Sequence, residues 1–122
     1  MMKFIDGPAV GAVLYLRRAP TVLRVTQTAA GSIDALDQVA DVPEPDGKLT
    51  AYLRVGPAEH VHVCRQPRSV SGWFVAAEYR VLSFQPPDET MRSTEAWHAW
   101  CEINKPVIMQ EYYKYSPVKQ GT

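Results

Sequence analysis

The chain lacks most of the features that assign a function directly. It has two cysteines in 122 residues, too few for a disulfide scaffold, and neither stands in a C-x-x-C pair. Its seven glycines are scattered and form no phosphate-binding loop. Thirteen basic side chains balance 13 acidic ones, which argues against a protein that coats nucleic acid through bulk charge. The longest uncharged run, Gly7 to Leu16, has about half the length that a membrane helix needs.

The composition is that of a globular domain. Hydrophobic residues make up 46% of the chain and charged residues 21%, which is close to the average for folded domains. We therefore predict one compact domain over residues 1–115 and a flexible polar tail over 116–122. No membrane contact and no cofactor is predicted, and the low cysteine content favours the cytoplasm, which is the host cytoplasm if the chain is phage-encoded.

Alternation of apolar and polar residues predicts about six strands, mostly antiparallel. Gly56–Pro57 is expected to end one strand before the next begins. The strand Trp73–Phe84 is expected to be the longest and to lie inside the sheet, because both of its faces are mostly apolar. The predicted strands are Val13–Arg18, Val22–Thr26, Ile33–Leu36, Leu49–Val55, His60–Arg65 and Trp73–Phe84.

One helix is predicted after the Pro86–Pro87–Asp88 break, from Ser93 to Asn104, where apolar residues recur at helical spacing. Lys105–Pro106 is expected to end it, and Val107 to Tyr115 is interpreted as an edge strand. The predicted fold is therefore α+β, a mainly antiparallel sheet or small barrel with one helix in the C-terminal half. The residues expected to anchor the helix to the sheet are Trp73, Trp97 and Trp100.

Two histidines share one face of a predicted strand. His60 and His62 alternate, and an H-x-H pair on a strand can bind zinc or iron. A third ligand would have to come from Glu59, Glu78 or His98. In the alternative interpretation, Val61 and Val63 face the core and both histidines face solvent or a partner. A metal-dependent enzyme therefore stays open, although no nucleophile motif favours an enzyme.

Arginine outnumbers lysine by eight to five, and most arginines fall in or beside predicted strands. The planar guanidinium suits phosphate, and aromatic neighbours would add stacking, so a sheet face of this kind could hold a nucleotide. In the alternative interpretation the arginines cover apolar sheet edges and pair with acids. The candidate ligand-binding residues are Tyr15, Arg17, Arg18, Tyr52, Arg54, His60, His62, Arg65, Trp73 and Arg80.

Acidic residues concentrate between Asp34 and Gly47, where five acids occur without a base. The simplest interpretation is a solvated loop. A second is an acidic decoy that mimics nucleic acid against a basic protein surface. A cation site is a third, although the oxygens lack the spacing of a calcium loop.

Three tyrosines crowd the predicted last strand, at Tyr112, Tyr113 and Tyr115. Neighbouring strand residues point to opposite faces, so at least one of these rings is expected to be exposed. Exposed tyrosines favour interfaces, which predicts a homo-oligomer through this edge or contact with a host protein. Closure of the core is the alternative.

Several segments resemble small uncharacterised proteins from bacterial and phage genomes, over most of residues 3–103. The resemblance implies a compact accessory protein of phage or prophage type, and such proteins often neutralise host defence by binding. The segments that carry it are Lys3-Phe4-Ile5-Asp6-Gly7-Pro8, Leu14-Tyr15-Leu16-Arg17-Arg18-Ala19-Pro20, Asp34-Ala35-Leu36-Asp37 and the strand from Gly72-Trp73-Phe74 to Glu78-Tyr79-Arg80.

The leading hypothesis is thus a non-enzymatic binding protein, a phage-encoded counter-defence factor that sequesters a nucleotide-type immune signal. The second is a protein inhibitor that occludes a host protein through its acidic loop or tyrosine-rich edge. The third is a metal-dependent enzyme built on His60 and His62.

Overall fold

The computed structural model describes residues 1–14, 18–27, 33–36, 47–64 and 71–115. These residues form a curled, mixed sheet that resembles half of a barrel, followed in the chain by a helical layer. The predicted α+β class is therefore confirmed. The tail predicted over 116–122 lies outside the described residues.

The six strands follow the order β2-β1-β6-β5-β3-β4 across the sheet. All neighbours are antiparallel except β1 and β6, which run parallel. The interior position predicted for the strand that begins near Trp73 is confirmed, because β6 lies between β1 and β5. The strands are β1 (Met2–Phe4), β2 (Val13–Leu14), β3 (Val22–Gln27), β4 (Ile33–Leu36), β5 (Lys48–Cys64) and β6 (Ser71–Val81).

The prediction that Gly56–Pro57 divides two strands is wrong, since β5 continues through it for 17 residues and is longer than β6. Val55 pairs with Glu78 and Glu59 pairs with Ala76, so residues 56–58 face a single residue of β6. Gly56 has φ of 79°, which a glycine adopts at little cost. Pro57 lacks an N–H but lies where the ladder is interrupted. The two breakers therefore make a bulge rather than a strand end.

The sheet buries a core on each of its two faces. On the first face Phe4, Tyr52 and Tyr79 form a cluster of rings, with centroids 4.9 and 5.9 Å from that of Phe4. On the second face, Ala51, Leu53 and Leu82 pack under the helices. Alternation along β5 and β6 sends neighbouring residues to opposite cores.

Three helices cover the second face: α1 (Asp88–Arg92), α2 (Thr94–Ile103) and α3 (Lys105–Tyr115). Helix α2 confirms the predicted helix, and Ser93 is its N-cap, with the Ala96 amide donating to Ser93 Oγ at 3.3 Å. Helix α1 was not predicted. None of the three is long and apolar enough to cross a membrane.

The edge strand predicted over Val107 to Tyr115 is wrong, because this segment is helix α3. Pro106 was interpreted as a terminator, but a proline in the first turn of a helix loses no hydrogen bond. Ile108 is buried and Tyr112 packs against the same core one turn later. The β-branched and aromatic content favoured a strand, and tertiary packing on the sheet overrides that preference.

Candidate interaction surface

Tyr52, a predicted ligand contact, lies in the core with no exposed surface. Its hydroxyl donates to the Asp6 carbonyl at 2.9 Å and accepts the Ala9 amide at 2.9 Å. Burial raises the pKa of this phenol above its usual range. Because both hydrogen-bonding directions are used internally, Tyr52 stabilises the fold and is not placed to contact a ligand.

Arg54 and Arg80 reach the tyrosines of α3 instead of forming an open pocket. Arg54 donates to the Ala19 carbonyl at 2.5 Å, and its guanidinium carbon lies 5.7 Å from the Tyr112 ring centre. The guanidinium carbon of Arg80 lies only 3.6 Å from the ring centre of Tyr115. Cation–π contacts within about 6 Å attract, so these tyrosines hold α3 against the sheet. The homo-oligomer predicted through a Tyr112–Tyr115 strand edge loses its basis, because these residues are helical.

His60, His62 and Trp73 lie together on a different part of the molecule. Past the bulge, Glu59–Cys64 of β5 pairs with Ser71–Ala76 of β6, whereas β3 pairs with β5 only up to Leu53 and β1 with β6 only from Ala77. We call this two-stranded segment the arm. Among the described residues, each arm strand therefore has only the other as its ladder partner.

Three exposed side chains share one face of the arm, and we call His60, His62 and Trp73 the arm face. His62 is paired directly with Trp73, and their ring centres are 5.2 Å apart in an edge-on arrangement. Both histidines are exposed, and Trp73 is 63% exposed. The prediction that Trp73 anchors the helix to the sheet is thus wrong, since the described sheet residues that pack under the helices all lie before the bulge. Trp97, 3% exposed, does pack under the helices, and Trp100 packs beside it.

The arm face does not assemble a metal centre in the part of the chain that the structure describes. No group of three histidine, cysteine, aspartate or glutamate side chains converges there. A zinc or iron site built on His60 and His62 requires such a third protein ligand.

The other predicted positions are dispersed. Arg18 is exposed just before β3. Tyr15, Arg17 and Arg65 lie outside the described residues, as does most of the predicted acidic loop, at 37–46. The predicted strand Ile33–Leu36 is confirmed as β4, an edge of the sheet. The ten candidate ligand residues are therefore not seen to converge on one pocket.

Two open clefts of about 370 Å³ each lie elsewhere on the surface. One lies beside the bulge, where Lys3, Glu59 and Glu78 surround small apolar residues. The other lies between the end of β6 and α3, and its charged residues are Glu111 and Lys114. None of the predicted arginines lines either cleft.

Arg24 is a buried polar residue that the sequence did not single out. It has no exposed surface, and its guanidinium donates to the Met91 carbonyl at 2.8 Å and to Thr94 Oγ1 at 3.2 Å. The same group lies 5.6 Å from the Trp97 ring centre. Arg24 thus joins β3 to α1 and α2. In the sequence, Arg24 alternates with the apolar Leu23 and Val25 as an exposed strand residue would. The helices that cover it are about 70 residues away in sequence, so the local pattern does not reveal its burial.

Cys101 carries a free thiol in α2, close to this arginine. Burial raises its pKa to about 11, against the smaller opposing effect of Arg24. A thiol with a raised pKa is a poor nucleophile at neutral pH, so Cys101 has the properties of a structural cysteine.

Comparison of this chain with protein-family models, with curated proteins and with solved structures finds no match, so the arm face and the two clefts have to be interpreted from their own geometry.

Proposed function

We propose that this chain is a non-enzymatic binding protein that occludes a partner protein with its arm face. The observation that carries the proposal is Trp73, whose side chain is 63% exposed on a segment where, among the described residues, each strand has a single ladder partner. Tryptophan is enriched among the few residues that dominate binding energy at protein interfaces. We therefore expect the exposed ring to contribute more to the free energy of binding a partner than to the free energy of folding.

The stability of the arm supports the same proposal. The arm joins the first core at Val75, which is buried there, but a two-stranded ribbon is marginally stable in water and exposed strand edges are costly to maintain. A partner that covered the arm face would bury Trp73 and stabilise the ribbon together. Binding of this kind requires no enclosed cavity and no catalytic group.

The chemistry of the arm indicates the kind of partner. Residues 59–76 contain two arginines and two histidines and a single acid, Glu59. A surface with an apolar depression for Trp73 and an acidic rim would complement this composition. The resemblance to small phage and prophage proteins makes a host defence protein the class of partner that we propose.

A preformed pocket for a small nucleotide has less support. Pockets of that kind enclose most of their ligand and bring a few polar groups together. Tyr52 is internal, Arg54 and Arg80 face the tyrosines of α3, and the arm face lies beyond the bulge. We therefore place occlusion of a protein ahead of sequestration of a nucleotide.

The test is differential capture from a host extract with three baits: the wild-type chain, Trp73→Ala and Ile103→Ala. Ile103 is 78% exposed on α2, so its variant is a matched control for loss of an exposed apolar side chain. We expect a protein that wild type and Ile103→Ala retain and Trp73→Ala does not.

Binding by that protein is then measured after purification, by calorimetry with the same three chains. Trp73→Ala should raise the dissociation constant by about 30-fold or more, which is the effect of a hot-spot residue. Ile103→Ala should raise it by less than about threefold. Equal affinities for the three chains, or capture of no protein that depends on Trp73, would rule out the arm face as the contact surface.

A further inference from the structure

Arg80 lies at the centre of the sheet, beneath the last turn of α3. It is opposite Leu53 in the β5–β6 ladder, so it lies on the face that the helices cover. The guanidinium carbon lies over the Tyr115 ring, 3.6 Å from the ring centre. This is the arrangement in which an arginine stacks on a nucleobase.

One buried hydrogen-bond donor of Arg80 is unpaired within the described part of the chain. Its Nε is buried and has no hydrogen-bond partner among the described residues. Within the same part of the chain the one ion pair joins Arg92 to Asp88, so no carboxylate neutralises Arg80. Buried polar groups are nearly always paired, and an unpaired donor in a native fold requires an explanation.

A second cation stands beside the same ring. Lys114 Nζ lies 5.4 Å from the Tyr115 ring centre, and Lys114 also lines the cleft between β6 and α3. The only carboxylate lining that cleft, on Glu111, accepts the Ser83 amide at 3.2 Å. Among the described residues, two cations and one aromatic ring therefore meet at the end of α3, and no ion pair with a carboxylate joins either cation.

We infer that Arg80 is a covered binding site for a nucleoside phosphate, with Tyr115 occupying the position of the nucleobase. When the last turn of α3 moves away, the base stacks on the guanidinium in place of the Tyr115 ring. The phosphates accept from Arg80 Nε and pair with Lys114, which supplies the missing anion. The site uses none of the residues of the arm face, so it does not depend on occlusion of a protein.

The experiment uses calorimetric titration of ATP and of tripolyphosphate into the full chain and three variants. Tyr115→Ala removes the competing ring and should bind ATP at least about tenfold more tightly than wild type. Tyr115→Phe keeps the ring and should match wild type. Adding Arg80→Gln to Tyr115→Ala should abolish the gain.

The tripolyphosphate titration separates stacking from simple charge. Tripolyphosphate should bind to Tyr115→Ala at least about tenfold more weakly than ATP does, because it has no ring that could stack on Arg80. Equal affinity for the two ligands would overturn the inference, and so would undetectable binding of ATP by Tyr115→Ala at about 1 mM. Retention of ATP binding after Arg80→Gln would overturn it as well.

Hydrogen exchange gives a second readout on the unmodified chain. Saturating ATP should accelerate amide exchange over residues 111–115, because the last turn leaves the sheet. Slower or unchanged exchange there would contradict displacement of the turn. Circular dichroism checks that Tyr115→Ala keeps its helices. If the helices are lost, the titrations are repeated with Tyr115→Leu, which keeps an apolar side chain at this position but removes the aromatic ring.

Discussion

The β5–β6 ladder behaves differently on the two sides of its bulge. Before the bulge, Tyr52 and Tyr79 have no exposed surface, and both hydroxyls bond to backbone carbonyls, Tyr79 to that of Pro20 at 2.6 Å. Beyond it, Trp73 on the same two strands is 63% exposed. The alternation of residue types is similar in both halves. What differs is the number of layers packed on the strands, and that number decides whether an aromatic side chain stabilises the fold or is available to a partner.

The largest expected effect comes from replacing one aromatic residue in each half. Tyr52→Ala should lower the free energy of unfolding by about 3–5 kcal/mol, because it leaves a cavity among Phe4 and its neighbours. Trp73→Ala should lower it by less than about 1 kcal/mol, since the ring is mostly in water and its pairing with His62 contributes no more than a cross-strand pair does. Urea denaturation of the two variants measures both values. A loss of more than about 2 kcal/mol for Trp73→Ala would show that the arm packs against something within the fold.

The first core can be tested at Gly7, which has φ of 72°. A Cβ there would overlap Val81 Cγ2 and lie 2.7 Å from the Tyr52 hydroxyl. Gly11, with φ of 84° and no neighbouring atom within 4 Å, is the matched control. In both alanine variants the left-handed backbone should lower the free energy of unfolding by about 1 kcal/mol. In Gly7→Ala, overpacking should lower it by about 1–3 kcal/mol more. Equal losses in thermal unfolding would mean that the Asp6–Gly7 turn is not tightly packed on Tyr52.

Beside the second core, Arg24 joins strand β3 to helices α1 and α2. Arg24→Met keeps the aliphatic stem but removes the donors to Met91 and Thr94, so we expect a loss of about 2 kcal/mol. The same change at Arg18, which is exposed, should be within about 0.5 kcal/mol of wild type. Chemical denaturation compares them. Equivalent stability for the two variants would mean that Arg24 contributes no more than a surface arginine.

The smallest effect concerns Cys101. Because burial raises its pKa from 9.0 to about 11, the folded state holds the proton more tightly than the unfolded state does. The thiol therefore contributes stability that is complete below pH 9 and is lost as the pH rises towards about 11. In a Cys64→Ser background, iodoacetamide alkylation should accelerate with pH up to about 11. A plateau near pH 9 would contradict the buried position of the thiol.

The strands and the helix that follow local pattern could be predicted from sequence. Strand β3 matches the predicted Val22–Thr26 with one further residue, and α2 ends one residue inside each predicted limit. Where the prediction fails, a residue acts differently from its usual role. Pro106 begins a helix instead of ending one, and Gly56–Pro57 widens a strand instead of dividing it. In both cases the packing of distant segments decides, and local preference carries no information about it.

The candidate site could be predicted only in part. His60 and His62 were expected to face solvent or a partner in one interpretation, and both are exposed. Trp73 was named among the ligand residues but was also expected under a helix, because sequence does not reveal where the helical layer stops. The contact of Tyr115 with Arg80 could not be predicted from the sequence, because it depends on α3, and this segment was interpreted as a strand.

The parallel pairing of β1 with β6 has a consequence for synthesis of the chain. The Asp6 carboxylate accepts the Val81 amide at 2.7 Å, across 75 positions in sequence. At roughly 5–20 residues per second, the first strand waits about 4–15 s on the ribosome before its parallel neighbour β6 has been made. During that interval its one available ladder partner among the described strands is the two-residue strand β2. The β5–β6 hairpin, whose strands are close in sequence, can form first, and β1 then closes the core as one of the last steps of folding.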